Sequence, residues 1–416
     1  MRIESLFSGR DSFSFQYMSA ISKRLFRSKR PKESRIKYWM YLLHLWTGLL
    51  SSIVVLVLCL SGCLYAFKNQ ITDVYNYDKV FVEKKGASVS LKDLENQLAS
   101  KGLKLTTVHL PKEENRAWSL SYQNEQGAIS ASNYDPYQQK FLGSSDAGLE
   151  KFFQVVLDLH RTLLLGNVGR QILGVGCLIF LSLMVTGFVL WLPKRLKYLK
   201  QGLGIKWKAK FQRINYDFHK VIGFYTLIPL AFITLTGLYV TYPWVKNALL
   251  MSMGAESIES VGTATSNESG QAFAVLMADM LKRQGEKSSL KEEKQAELYS
   301  IVSKTEDLFL SKATLTIEFP NQENPRFMVR RSHNDHPLYF TIVDELSFDR
   351  KGTLQNQNLF SALPLDLQFA ALVKPLHTGE IMGLPSVILY FIITLMGALM
   401  PISGIFIWWN RARKLK

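Results

Sequence analysis

Four apolar runs dominate this 416-residue chain, at positions 41–67, 171–193, 221–245 and 381–409. The first holds no acidic or basic residue, and the others are interrupted only by mildly polar positions. About 20 apolar residues in a helix cross the ~30 Å hydrocarbon layer of a bilayer, so each run is long enough to span. On length alone, a chain with 47% apolar residues could form two or three soluble domains. Concentration of those residues in four runs points instead to a four-helix membrane protein.

Histidines introduce the runs at repeating offsets. His44 precedes Gly48 by 4 residues and Gly62 by 18, and His219 precedes Gly223 and Gly237 by the same intervals. His160 is followed at 6, 27 and 31 residues by Gly166, Gly187 and Trp191, and His377 at the same offsets by Gly383, Gly404 and Trp408. The chain therefore reads as an internal duplication. A small hydroxyl residue precedes each distal glycine, giving Ser61-Gly62, Thr186-Gly187, Thr236-Gly237 and Ser403-Gly404. Small residues let membrane helices or a flat ligand approach closely, and a hydroxyl can hydrogen-bond within the bundle.

The formal charge of +16 would suggest nucleic acid if it were spread over a soluble surface, but it is segregated. Residues 68–151 carry 11 basic and 11 acidic side chains, and residues 246–380 carry 14 basic against 18 acidic. The excess lies before the first run (Lys23, Arg24, Arg27, Lys29, Arg30, Lys32, Arg35, Lys37), between the second and third (Lys194 to Arg213), and in the tail (Arg411, Arg413, Lys414, Lys416). By the positive-inside rule, both termini and the central loop are cytoplasmic and the two large segments extracytoplasmic. Nucleic acid is thus not an expected partner; the bilayer is. The long basic leader and long first run predict an uncleaved anchor in an inner membrane. Cys59, Cys63 and Cys177 lie inside the apolar runs and read as packing residues, not a disulfide framework.

In the first large segment, a helix is expected over 90–101, capped by Ser90 and with Leu91, Leu94 and Leu98 on one face. Strands are expected over 105–110, 117–122 and 128–134, then an Asp135-Pro136 turn leading into Phe141-Leu142-Gly143. The second segment repeats the plan with a helix over 270–283, a charged insert at 285–295, strands over 313–319, 326–331 and 338–344, and a turn at 349–352. The expected fold is a membrane all-α four-helix core with internal duplication, plus two small extracytoplasmic α+β domains. In order, these are a basic leader (1–37), helix one (38–67), the first outside domain (68–149), and an interfacial helix with helix two (150–193). A basic loop (194–217), helix three (218–245), the second outside domain (246–365), an interfacial segment with helix four (366–410), and a tail (411–416) follow.

The histidine-led helices, the hydroxyl-glycine dipeptides, the Trp191-Leu192-Pro193-Lys194 and Trp408-Trp409-Asn410-Arg411 exits, and the segment from Asn133 to Gly143 together resemble the PepSY-associated transmembrane family. That family includes inner-membrane reductases used in bacterial iron acquisition. The resemblance covers about residues 36 to 413, and the outside domains would be PepSY-like. In the second segment, Asp349-Arg350-Lys351-Gly352 lacks the proline of the first turn.

An ionisable group in a membrane helix is a functional candidate by default. Imidazole suits transition metals and serves as an axial ligand to haem iron, and without a Cys-x-x-Cys-His sequence any haem would be non-covalent, b-type haem. Depth sets the pairing: His44 with His219 near the inner face, and His160 with His377 near the outer face, giving two stacked haem sites. The glycines at 62 and 237 fall ~27 Å along the helix from the inner histidines, at the outer level; Gly187 and Gly404 fall at the inner level. These gaps are expected to admit the porphyrin. A surface helix over 150–165 would place the outer site at the water boundary, and Arg161 and Arg170 are candidates for haem propionates. Trp191, Trp244, Trp408 and Trp409 read as interface anchors. For His109, His333 and His336 the structural reading is favoured, with His333, Asp335 and His336 a weak metal candidate.

The resemblance implies a di-haem b-type reductase that passes electrons outward to a ferric-siderophore-like chelate for iron uptake. The alternative is a non-catalytic sensor or regulator whose PepSY-like domains bind a peptide, protease or signalling partner. A transporter fits less well, since the spans lack charged relays. No glycine-rich dinucleotide fingerprint occurs in the short cytoplasmic segments, so a separate cytoplasmic reductase or a membrane quinol is the expected electron donor.

Overall fold

The computed structural model describes residues 29–31, 33–254, 298–309, 312–321, 324–334 and 340–413. Its helices are α1 (Arg35–Ala66), α2 (Lys68–Tyr75), α3 (Tyr77–Val80), α4 (Leu91–Ser100), α5 (Ala147–Thr162), α6 (Gly166–Trp191), α7 (Phe211–Thr241), α8 (Pro243–Ser252), α9 (Leu298–Asp307), α10 (Leu365–Thr378) and α11 (Leu384–Arg413). The strands are β1 (Lys104–Leu110), β2 (Trp118–Gln123), β3 (Ile129–Asp135), β4 (Lys140–Gly143), β5 (Thr314–Glu318), β6 (Phe327–His333), β7 (Ile342–Phe348) and β8 (Leu354–Asn358). Two compact units result, one of Met1–Leu64, Leu157–Leu238 and Phe391–Lys416, the other of Tyr65–Val156 and Tyr239–Tyr390.

The four helices α1, α6, α7 and α11 are long and apolar enough to cross a membrane. Large apolar side chains on them face outward, as at Leu50, Ile53, Val185 and Ile228, each more than 60% exposed. Such surface is stable against lipid and not against water. In the first unit, glycines set the helix spacing. A Cβ on Gly176 of α6 would come within 2.6 Å of Val54 on α1, and one on Gly397 of α11 within 3.3 Å of Leu230 on α7 and of Cys59 on α1. Hydroxyls inside these helices bond back to their own turns, as Ser51 to the Thr47 carbonyl (2.8 Å) and Thr226 to the Ile222 carbonyl (2.8 Å). In an apolar medium this satisfies a donor that would otherwise be costly.

The second unit departs from the expected pair of separate domains. Its strands form one antiparallel eight-stranded sheet in the order β4-β3-β2-β1-β5-β6-β7-β8. Each half is a four-strand meander, and the halves join where β1 pairs with β5, Val108 opposite Ile317 and His109 opposite Thr316. Left alone, the meanders would also expose β1 and β5 as edges; pairing these two first strands covers both and leaves β4 and β8 as the edges of the sheet. Helices α4 and α9 cover the sheet, and Leu94, Leu98, Val108, Leu120, Tyr134, Ile301, Ile317, Phe327, Val329, Leu346 and Phe348 form a single core with almost no exposure.

Local chemistry explains these elements. Ser90 Oγ accepts the Asp93 N–H and caps α4 as the sequence predicts. The turn after β3 is held by Asp135 Oδ1, which accepts the N–H groups of Tyr137 and Gln138. The turn after β7 lacks the proline yet has the same design, with Asp349 Oδ1 accepting from Lys351 and Thr353. The carboxylate, not the proline, makes the turn. The predicted helix at 270–283 and the charged insert lie outside the described residues. The helix that covers the second meander is α9, which the sequence reading missed, as it missed β8. The third strand of that meander runs over Ile342–Phe348, later than the expected 338–344.

After His160 and His377, the helices break at matched places. Between α5 and α6 the backbone turns left-handed at Leu163, Leu164 and Gly166 (φ 56° at the glycine), and before α11 it does so at Gly379 and Gly383 (φ 81° and 70°). Gly166 and Gly383 are the glycines six residues after His160 and His377, and their offset is explained by a φ that side chains disfavour.

Candidate cofactor site in the helix bundle

His44 projects from α1 and His219 from α7, both half-buried, with ring centroids 6.3 Å apart and ring planes at 86°. Each ring is held from a neighbouring helix. His44 Nδ1 lies 2.9 Å from Thr186 Oγ1 on α6, and His219 Nδ1 lies 2.8 Å from Ser403 Oγ on α11. Thr186 Oγ1 is 2.9 Å from the Ser182 carbonyl, and Ser403 Oγ is 2.9 Å from the Met400 carbonyl. A hydroxyl has one proton to donate. With that proton directed to its own helix, each hydroxyl accepts from Nδ1–H, which assigns the tautomer and leaves the Nε2 lone pair available for ligation.

The glycine beside each hydroxyl completes the seat. A Cβ on Gly187 would stand 3.2 Å from His44 Cε1, and one on Gly404 3.5 Å from His219 Cε1. The same arrangement recurs at His160, whose Nδ1 lies 3.0 Å from Ser61 Oγ and whose Cε1 would be 3.3 Å from a Cβ on Gly62. Ser61 in turn donates to the Val57 carbonyl at 2.6 Å. Thr236 is fully buried and likewise bonds back to Phe232 and Ile233 of α7, while His377 ends α10.

Gly187 and Gly404 thus accompany His44 and His219, and Gly62 accompanies His160. An imidazole edge fills the gap at each of the three glycines, because the preceding hydroxyl fixes the ring against that turn. The proximal glycines are not part of this seat either, since Gly48 faces Leu183 and Gly223 faces the Met400 sulfur.

Other side chains around the inner pair were not singled out by the sequence. Asn215, one turn before His219, is buried and donates to the Ser403 carbonyl at 3.0 Å, reinforcing the turn that holds the ring. Its spacing of four residues from a histidine was the available signal. Trp191 is not an interface anchor. It is buried, stacks on Phe224 at 3.8 Å, and donates its indole N–H to the Gly202 carbonyl at 3.1 Å. Trp244 and Trp409 are more than half exposed, as anchors would be. Arg161 ends α5 beside His160, and Arg170 lies in the first turns of α6, both half-buried.

The histidines of the sheet unit have structural partners. His333 Nε2 is 2.8 Å from Asp344 Oδ2, which also receives Arg331 at 3.2 Å, all three buried. His109 Nδ1 meets Thr316 Oγ1 at 2.9 Å across the β1–β5 seam, and partial burial lowers its pKa. Asp335 and His336 lie outside the described residues. Among the described residues, no cluster of three or more His, Cys, Asp or Glu side chains forms a metal site.

A family model described as the PepSY-associated TM region matches residues 41–411. The chain belongs to this family. In this PepSY-associated chain, the match begins three residues before His44 and runs through all four spanning helices and the sheet to the last turn of α11. No curated protein matches it.

Proposed function

We propose that the helix bundle binds haem between His44 and His219 and that the protein is a membrane reductase. The observation that carries this reading is the spacing of the two rings. For both rings to reach one iron through metal–nitrogen bonds of ~2.0 Å, they would have to stand close together. The observed separation is 6.3 Å. Donor chemistry points the same way. Two imidazoles whose other nitrogens are already bonded give a bare ion too few ligands, whereas haem would bring the remaining ligands itself.

When bound, haem supplies one-electron redox chemistry. The residues of this chain orient and hold it: Thr186 and Ser403 keep Nδ1 protonated and Nε2 directed away from the supporting helix, Gly187 and Gly404 let each ring lie flush against that helix, and Asn215 braces the Ser403 turn. Such outer partners fix ring orientation and raise ligand basicity. A second haem, with His160 and His377 as ligands, is proposed on the matched sequence offsets. With the basic segments cytoplasmic, electrons would pass outward from a cytoplasmic reductase or quinol to a ferric chelate of siderophore type. The duplication of the histidine, glycine and meander patterns supports two equivalent sites.

The test is haem counted per chain in the purified full-length protein, with reduced-minus-oxidised spectra of His44→Ala, His219→Ala, His160→Ala and His377→Ala. Two haems are expected, with His44→Ala and His219→Ala abolishing the same one. A wild-type protein from haem-replete cells that carries none would end the proposal. Spectra in which His44 and His160 share a haem would overturn the pairing.

A further inference from the structure

On α11, Trp408 Nε1 and Arg411 Nη2 are buried hydrogen-bond donors for which the described residues supply no acceptor. Three residues apart on α11, they share a helix face. Arg411 uses its other terminal nitrogen on the Tyr41 hydroxyl, and its guanidinium lies 5.6 Å from the centre of the Tyr41 ring. These contacts fix its place. Tyr41 comes three residues before His44 on α1, and Ser403, which holds His219, comes five residues before Trp408 on α11. At ~1.5 Å per residue, Trp408 and Arg411 lie ~7.5 Å and ~12 Å beyond Ser403 along α11, past the level of His219 on the side of Tyr41.

The repeat partner of Trp408 sharpens the point. Trp191 occupies the matching position 31 residues after His160, and its indole N–H is satisfied by the Gly202 carbonyl. Trp408 has no such acceptor. A buried donor without a partner is expensive, and a half-paired guanidinium more so. One acceptor serving both groups must be anionic and offer several lone pairs, and a carboxylate meets both needs.

We infer that Trp408 and Arg411 hold a propionate of the haem proposed between His44 and His219. The inference rests on that reading of the site. A lipid phosphate offers the same acceptor chemistry, so the test must separate the two sources.

Full-length protein stripped of haem is titrated with haemin or with its dimethyl ester, whose propionates carry no charge, and binding is followed by absorption. Arg411→Gln should weaken haemin binding at the inner site about tenfold, as expected for loss of a charge-assisted bond, and should leave ester binding unchanged. Arg411→Lys should recover part of the loss, and Trp408→Phe should show a smaller loss confined to haemin. Should Arg411→Gln fail to fold, Trp408→Phe carries the comparison. An equal penalty for haemin and ester would overturn the inference and give the two residues a structural role; no penalty for either would leave a lipid phosphate as their acceptor. Wild type that binds haemin, with both variants unaffected, would sink this inference alone; wild type that binds none would sink the function proposed above.

Discussion

A methyl group on Gly187 would stand 3.2 Å from His44 Cε1, whereas one on Gly404 would stand 3.5 Å from His219 Cε1. The first distance requires the ring to shift by a few tenths of an ångström, and the second is ordinary contact. Alanine favours a helix over glycine by about 1 kcal/mol, so neither change should weaken folding. Metal bonds tolerate little displacement, about 0.2 Å. Gly187→Ala is therefore expected to reduce inner-site haem affinity about tenfold, the scale of outer-shell changes at metal sites, while Gly404→Ala has a much smaller effect. Haem titration of the two variants checks this; equal effects would show that the glycines do not seat the rings. The sequence singled out all of these residues through equal offsets. It could not show that Thr186 and Gly187 embrace His44, because an offset of many residues fixes distance along a helix and not which neighbour the helix turns toward.

Among the elements, the β1–β5 seam makes one sheet of two meanders, and its cost of disruption should be shared. Ile317 is fully buried opposite Val108. Truncating it to alanine should cost about 2–5 kcal/mol, and hydrogen exchange should quicken in β1–β4 and β5–β8 together. Faster exchange confined to β5–β8 would mean that the halves fold independently. Glu345 on β7 supplies a second prediction. Burial raises its carboxyl pKa above the ordinary 4.5, with Arg330, 3.3 Å away, only partly opposing that rise. A raised folded-state pKa favours the protonated form, so the stabilising contribution is full below the unfolded value and is lost as pH rises through the folded one. Relative to wild type, Glu345→Gln should thus gain stability as pH rises from 4.5 through that window, as read by thermal unfolding across pH. A flat difference would show that Arg330 holds the carboxylate ionised. Most strands were legible from alternating apolar residues. β8 was not, since Leu354–Asn358 is a polar edge strand, and the seam was not, since no local pattern announces pairing between segments some 200 residues apart.

Across the whole molecule, sidedness rests on the distribution of charge. The bundle has no preferred side by itself; the excess of lysine and arginine in the leader, the central loop and the tail predicts one. The outward electron flow proposed above depends on that prediction. Native cysteines are confined to the spanning helices, at positions 59, 63 and 177, so replacing them with alanine leaves a background suited to single-cysteine labelling. Lys208 in the central loop and Ser130 on β3 are both exposed. In right-side-out vesicles, a membrane-impermeant maleimide should label Ser130→Cys and spare Lys208→Cys until the membrane is opened, and inverted vesicles should reverse the pattern. Labelling of both positions from one side would break the sidedness argument, and with it the outward direction of the proposed transfer, while leaving the His44–His219 geometry and the haem test untouched.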